Sequence, residues 1–145
     1  MNTKITFDKL DIPLKPEPNT ATPKVDVFSD TLLLSFSTNV YNTEGKIIFN
    51  EPLMYRIGDP NDEGFFDSKS NPKIKNDSIY SFTRFPDLEF NAFYIVKGYD
   101  WKNSLLGKGT NILNEEYKNI SDCIHFVFFM KDGTFECIAR SYKVL

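Results

Sequence analysis

The chain has 145 residues, which is enough for one domain with a single hydrophobic core. Its formal net charge of −3 argues against nucleic acid as a partner, because proteins that bind nucleic acid usually present a basic surface to the phosphates. Aromatic residues make up 15% of the chain, including 14 Phe and 7 Tyr, and this content favours half-buried β-strands over helix bundles.

The N-terminal segment is expected to lie outside the main domain. Residues 1–12 alternate weakly between apolar and polar side chains, which predicts an edge strand. Four prolines follow in PLKPEPNTATPK, where they remove backbone donors and favour extended backbone. The segment lacks a signal-peptide pattern, and no 18 apolar residues run together, so we expect a soluble cytoplasmic protein without membrane contact. We predict a proline-rich arm, residues 1–23, and one β-rich domain, residues 24–145.

The next two segments predict strands. In VDVFSDTLLLSFSTNVY, one strand face would carry Leu32, Leu34, Phe36 and Val40. GKIIFNEPLMYRIG predicts a further strand, or a pair of short ones, that ends at Gly58.

Strand signals continue further along the chain, and helical signals stay weak. SIYSFTRF and LEFNAFYIVKGY are rich in aromatic and β-branched residues, and the second predicts a central strand covered on both faces. DWKNSLL and NILNEEYKNI predict at most one or two short helices. We therefore predict a mainly β (α+β) fold: a single antiparallel, strongly curved sheet or small barrel of six to eight strands, with a β-sandwich as the alternative.

The C-terminal strands are expected to form a hairpin around Asp132-Gly133, a dipeptide typical of type I′ turns. With that two-residue loop, His125 would lie opposite Arg140, and Glu136 would share their face. The opposite face would hold core residues: Ile124, Phe126, Phe128, Met130, Phe135, Cys137 and Ala139. The first face also carries Val127, Phe129 and Ile138, so it is an apolar floor with convergent polar groups, a pattern found both in ligand pockets and in ordinary half-covered sheets.

The two cysteines are expected to be free thiols. In the same hairpin, Cys123 would lie opposite Tyr142 and Cys137 opposite Phe128, on different faces and beyond disulfide reach. Free thiols agree with a reducing compartment.

An acidic stretch, DPNDEGFFD, directly follows the strand that ends at Gly58. Its polar candidates for a binding site are Asp59, Asn61, Asp62 and Glu63. The stretch fits a solvated turn, and it fails the EF-hand template because Ser70 occupies the position of the bidentate Glu. Arg56 lies just before the turn, where its guanidinium could hold Asp62 or Glu63 in a bidentate pair. The stretch is therefore either a surface turn or the polar rim of a site.

Three segments, YRIGDPNDEGF, FYIVKGYDWKNSL and HFVFFMKDGTFECIA, resemble a group of short uncharacterised bacterial proteins. That group has an R-x-G-x-P-N-D-E stretch, a tryptophan-containing segment and a H-F-x-F-x-F-H-D-x-T-F-E-x-x-A hairpin. The residues that match are Arg56, Gly58, Pro60, Asn61, Asp62, Glu63, Trp101, His125, Asp132, Phe135 and Glu136. The resemblance implies a shared fold and polar constellation. Two histidines of the group are absent here, where SKSNP and Lys131 stand instead.

Two functional hypotheses remain. In the first, the chain is a binding protein of the immunity or inhibitor kind, whose acidic stretch meets a basic partner such as a toxin. In the second, Arg56, Asp62, Glu63, His125 and Glu136 form a site for a small molecule, with or without hydrolysis. No nucleophile, phosphate-loop, dinucleotide or metalloprotease motif occurs, so we predict no metal and no cofactor. Homodimerisation through an uncovered strand edge is a further hypothesis.

Overall fold

The structure is a computed structural model that describes residues 4–13, 15–17, 23–40, 43–58, 69, 84–104, 109–130 and 133–145. Its strands are β1 (Thr6–Lys9), β2 (Lys24–Val27), β3 (Thr31–Ser37), β4 (Glu44–Gly58), β5 (Phe93–Lys97), β6 (Asn111–Ile112), β7 (Ile124–Phe129) and β8 (Thr134–Val144). The helical elements in these ranges are α1 (Trp101–Ser104) and a 3₁₀ turn (Tyr117–Asn119), besides the single described helical residue Lys69. No helix in the described part of the chain is both long enough and apolar enough to cross a bilayer.

All eight strands belong to one antiparallel sheet. Its order is β1-β5-β7-β8-β4-β3-β2, and β6 pairs separately with β4. The described strands do not close into a barrel, because β1 and β2 remain at the two ends of this order. The predicted mainly β fold, with one strongly curved antiparallel sheet and few helices, is therefore confirmed.

The sheet curls strongly enough for its inner face to pack against itself. The ring centroid of Phe36 on β3 lies 5.4 Å from that of Phe93 and 5.7 Å from that of Phe128. Strands β8 and β4 separate β3 from β5 and β7 in the sheet order, so these contacts require the curvature. The main core on this inner face contains Ile12, Leu32, Leu34, Phe36, Ile47, Phe49, Phe93, Phe126, Phe128, Met130, Phe135, Cys137 and Ala139.

Described parts of the N-terminal arm lie on the sheet. The predicted edge strand is confirmed as β1, which pairs with β5. Further along, Pro16 forms an isolated bridge with Thr38, and its carbonyl accepts a hydrogen bond from the Asn91 side chain at 2.9 Å. This part of the arm therefore spans the gap between the end of β3 and the segment that leads into β5.

The second predicted strand is in fact a hairpin of β2 and β3. Leu32, Leu34 and Phe36 share the core face as predicted. Val40, expected on the same face, is 54% exposed, so that prediction is wrong. Val40 lies beyond the end of β3, where the alternation of strand faces no longer applies.

Strand β4 is continuous over fifteen residues, but it is bulged rather than regular. Its register against β8 shifts between Pro52 and Met54, and Glu51 has a positive φ of 49°. A bulge of this kind bends a strand, which suits a curled sheet. The predicted strand SIYSFTRF falls mostly outside the described residues.

The C-terminal hairpin has the predicted faces but a different register. His125 lies opposite Ile138 and not Arg140, and Cys137 lies opposite Phe126 and not Phe128. The turn is responsible, because the Met130 N–H donates to the Gly133 carbonyl and the loop begins one residue earlier than Asp132-Gly133 predicts. Each cross-strand partner therefore moves by two residues. A shift of two leaves every side chain on the same face.

Candidate functional site

Three of the predicted site residues meet on the outer face of the sheet. Arg56 on β4 and Glu136 on β8 are direct cross-strand partners, and Arg56 Nε lies 2.8 Å from Glu136 Oε2. His125 on β7 is a diagonal neighbour of Glu136, and His125 Nε2 lies 3.2 Å from Glu136 Oε1. We call Arg56, Glu136 and His125 the polar triad.

Strand order explains why these residues converge. Strand β8 lies between β7 and β4, so an outward side chain on β8 can reach both neighbouring strands. Glu136 is such a residue, and each of its two carboxylate oxygens faces one partner. The sequence predicted the shared face of His125 and Glu136. The contact of Arg56 with Glu136 could not be predicted, because pairing between β4 and β8 is long-range.

The triad is nearly closed to solvent. The exposed fraction of the side chain is 1% for Glu136, 3% for His125 and 11% for Arg56. A carboxylate buried this deeply requires a nearby positive charge, because its ionised form loses the solvation of water. Arg56 supplies that charge. Arg56 Nε and Glu136 Oε2 are close but lack the alignment of a hydrogen bond, so their contact is an ion pair.

His125 retains one polar atom that no described residue satisfies. An ionised carboxylate can only accept, so the contact with Glu136 places the proton on Nε2. Nδ1 is buried and has no hydrogen-bond partner in the described part of the chain. The Tyr99 ring packs beside the imidazole, with centroids 5.8 Å apart and a tilt of 31°. Tyr99 was missed by sequence reasoning because it follows the end of β5, where face alternation gives no guidance.

Gly58 makes room for the Arg56 guanidinium. Residues 56 and 58 project from the same face of β4, as alternate residues of a strand do. A Cβ atom built on Gly58 would lie 2.8 Å from Arg56 Nη2 and 3.2 Å from Nε, which is too close without a shift. The R-x-G spacing therefore has a physical reason: the missing side chain lets the arginine lie across the strand towards Glu136.

Two apolar clusters flank the triad on the outer face. One contains Leu88, Ala92, Tyr94, Val96, Val127 and Phe129. The other contains Leu53, Met54, Trp101, Tyr117 and Ile138. Trp101, a predicted site residue, is 9% exposed and belongs to the second cluster, so its described role is packing.

The remaining predicted site residues do not join the triad within the described residues. Arg140 was expected opposite His125, but it lies at the surface, with Nε 3.9 Å from Glu51 Oε2 and a side chain 41% exposed. Asp59, Asn61, Asp62 and Glu63 lie outside the described residues, as does the predicted pair of Arg56 with Asp62 or Glu63. The possible convergence of the acidic stretch with His125 therefore stays a prediction.

The cysteines are free thiols on different faces of the sheet, as predicted. Cys137 belongs to the inner core, and Cys123 packs against the cluster around Trp101. Burial raises the pKa of both thiols, and it does so most strongly for Cys137. Neither has the lowered pKa of a nucleophilic cysteine.

Within the described ranges, no group of three or more His, Cys, Asp or Glu side chains could hold a metal ion. The triad itself contains one carboxylate and one imidazole, and the carboxylate is already engaged by Arg56. Its chemistry is that of an oriented imidazole, in which a carboxylate holds one nitrogen and leaves the other as an acceptor.

Comparison of the chain with models of protein families, with curated proteins and with solved structures finds no match. The proposals below therefore depend on the geometry and charge of this chain.

Proposed function

We propose that this protein acts by binding another protein, and that the acidic stretch after β4 meets a basic surface of that partner. The mode of action would be that of an immunity or inhibitor protein, which covers a toxin or enzyme without catalysing a reaction. The free thiols support a reducing compartment such as the cytoplasm as the place of action.

The pairing of Arg56 with Glu136 is the observation that carries this proposal. Arg56 is the last cation before the acidic stretch in the sequence, and its charge is already balanced by a buried carboxylate. The carboxylates that follow β4 in the sequence, Asp59, Asp62, Glu63 and Asp67, therefore add net negative charge at this end of the strand. Charge concentrated in this way speeds and orients the approach of a basic partner.

The burial of the triad supports the same proposal. A general base has to reach its substrate, yet His125 and Glu136 are almost fully buried. A buried ion pair beneath the end of β4 instead fixes the backbone from which the acidic stretch departs. In this proposal the triad is a rigid support and the acidic stretch is the contact surface.

The experiment is a capture assay with matched charge variants. Tagged protein is incubated with extract of its native host, beside a variant in which the four carboxylates become Asn or Gln. A control variant neutralises four exposed carboxylates elsewhere: Asp30, Glu44, Glu115 and Asp122. The proposal predicts a stoichiometric partner that the control retains and the first variant loses, with association slowed by added salt. A partner that both variants retain equally would contradict it.

A small-molecule site is the second candidate, and the unpartnered His125 Nδ1 favours it. Buried polar atoms are usually hydrogen-bonded, so an acceptor without a partner suits a ligand that donates an O–H or N–H group. Arg56, Glu136 and Tyr99 would then position that ligand or its imidazole acceptor. A metabolite screen by thermal shift tests this candidate, since a true ligand raises the unfolding temperature of the native chain but not of a His125→Phe variant.

A further inference from the structure

Strand β2 has a regular row of backbone groups that no described strand pairs with. The hairpin of β2 and β3 is closed by a hydrogen bond from the Phe28 N–H to the Thr31 carbonyl, 2.8 Å long. Hydrogen-bonded positions alternate along an antiparallel pair, so Asp26 directs its N–H and C=O towards β3, whereas Val25 and Val27 direct theirs outwards. Strand β2 ends the sheet order, and no described strand pairs with these outward groups.

The side chains of this edge are divided between its two faces. Val25 packs against the main core, and Val27 follows it on the same face with 44% of its surface exposed. Lys24 and Asp26 lie on the other face, where their charged atoms are 3.7 Å apart and their side chains are 72% and 39% exposed. An exposed pair of this kind contributes little stability within one chain, so both charges are available to a partner.

We propose that two copies of this chain associate through β2, antiparallel to each other, about a two-fold axis at Val25. Val25 then exchanges hydrogen bonds with Val25 of the second copy, and the Val27 N–H donates to the Pro23 carbonyl of the second copy. Pro23 has no N–H, and this register asks only for its carbonyl. Lys24 lies opposite Asp26 of the second copy, and Asp26 opposite its Lys24.

Charge selects this register over its neighbours. Moving the second copy by one pairing step in one direction places Asp26 opposite Asp26, and moving it the other way places Lys24 opposite Lys24. Like charges directly opposite each other destabilise a strand pair, whereas opposite charges stabilise it. The apolar face fits as well, because the exposed Val27 lies on the same face as Val25, and the Val27 side chains of the two copies flank the central Val25 pair. The edge is thus self-complementary in backbone, charge and apolar surface.

Sedimentation velocity over a range of protein concentrations tests the proposal. The wild-type chain is expected to pass from monomer to dimer as its concentration rises, since the contact involves one short strand from each copy. The single variants Asp26→Lys and Lys24→Asp each replace two ion pairs by two like-charge contacts, and each should weaken dimerisation by about tenfold or more. The double variant exchanges the two charges, restores both ion pairs and should restore the dimer. Asp122→Lys changes the net charge by the same amount as Asp26→Lys, at an exposed site away from β2, and it should dimerise like the wild type.

A second variant separates loss of the dimer from loss of folding. In Val25→Pro the missing N–H is one that points away from β3, so the β2–β3 ladder is retained and only the edge donor is lost. Circular dichroism should show a native sheet in this variant, and sedimentation should show a monomer. A wild-type chain that stays monomeric at about millimolar concentration would overturn the proposal. So would a dimer that tolerates Asp26→Lys, or a charge exchange that fails to restore association.

Discussion

A double-mutant cycle on Arg56 and Glu136 tests whether the triad is a coupled, buried unit. Glu136→Gln leaves the Arg56 guanidinium without its counter-charge in an environment where only 11% of that side chain is exposed. Removing one partner of a buried ion pair typically costs about 3–5 kcal/mol, because the remaining charge stays desolvated. We expect about 3 kcal/mol for Glu136→Gln, since Arg56 retains some solvent contact. We expect about 5 kcal/mol for Arg56→Met, since it removes the paired cation from a carboxylate that is 1% exposed.

The double variant Arg56→Met/Glu136→Gln should cost far less stability than the sum of the two single costs, because it leaves no uncompensated charge. Urea unfolding followed by Trp101 fluorescence gives the free energies, and a loss of about 3 kcal/mol would lower the thermal midpoint by roughly 10 °C in a chain of this size. Exposed variants such as Lys46→Met serve as controls and should change stability by less than about 0.5 kcal/mol. Additive single effects, or a Glu136→Gln cost below about 0.5 kcal/mol, would refute the reasoning.

Four further predictions concern Gly58, the two thiols and Phe126. Gly58→Ala should destabilise by about 1 kcal/mol, because the new Cβ displaces the Arg56 guanidinium, and urea unfolding should show that this cost disappears in the Arg56→Met background. In the native state a thiol reagent should modify half-buried Cys123 and leave Cys137 unmodified until the chain unfolds. Burial holds the pKa of the Cys137 thiol above its unfolded value of about 8.5. The unfolded thiol therefore loses its proton first, and the free energy of unfolding should fall at higher pH by up to about 1.4 kcal/mol per pH unit. The Cys137→Ala variant should show a smaller fall. Phe126→Ala removes a side chain that is fully buried and should cost about 3–5 kcal/mol in the same unfolding assay.

The sequence predicted correctly which sheet face each side chain occupies, but it predicted cross-strand partners poorly. The hairpin of β7 and β8 shows why. Face assignment depends only on whether two positions differ by an even number, so it survived a register error of two residues. The partner of His125 depends on the exact loop, and that loop was misplaced by one residue. Arg140 was therefore assigned to the site, although it is the surface neighbour of Glu51.

The long-range pairing of strands was the second limit on what the sequence could predict. The contact of Arg56 with Glu136 joins residues eighty positions apart, and no local pattern indicates which strand lies beside β8. The sequence could predict that Arg56 needs a carboxylate, and it favoured the nearest ones, Asp62 and Glu63. The sheet order supplied a different carboxylate from a neighbouring strand. The curvature was predicted only as a class of fold, because the contacts of Phe36 across the sheet are likewise long-range.

A measurement of the tautomer of the single histidine tests this account most directly. His125 is the only histidine in the chain, so the imidazole signals of a long-range ¹H–¹⁵N spectrum need no further assignment. The account predicts a proton on Nε2, held by Glu136, and a change in that signal when Glu136 is replaced by Leu. A neutral ring that carries its proton on Nδ1, or a signal indifferent to Glu136, would contradict the triad at the centre of this account.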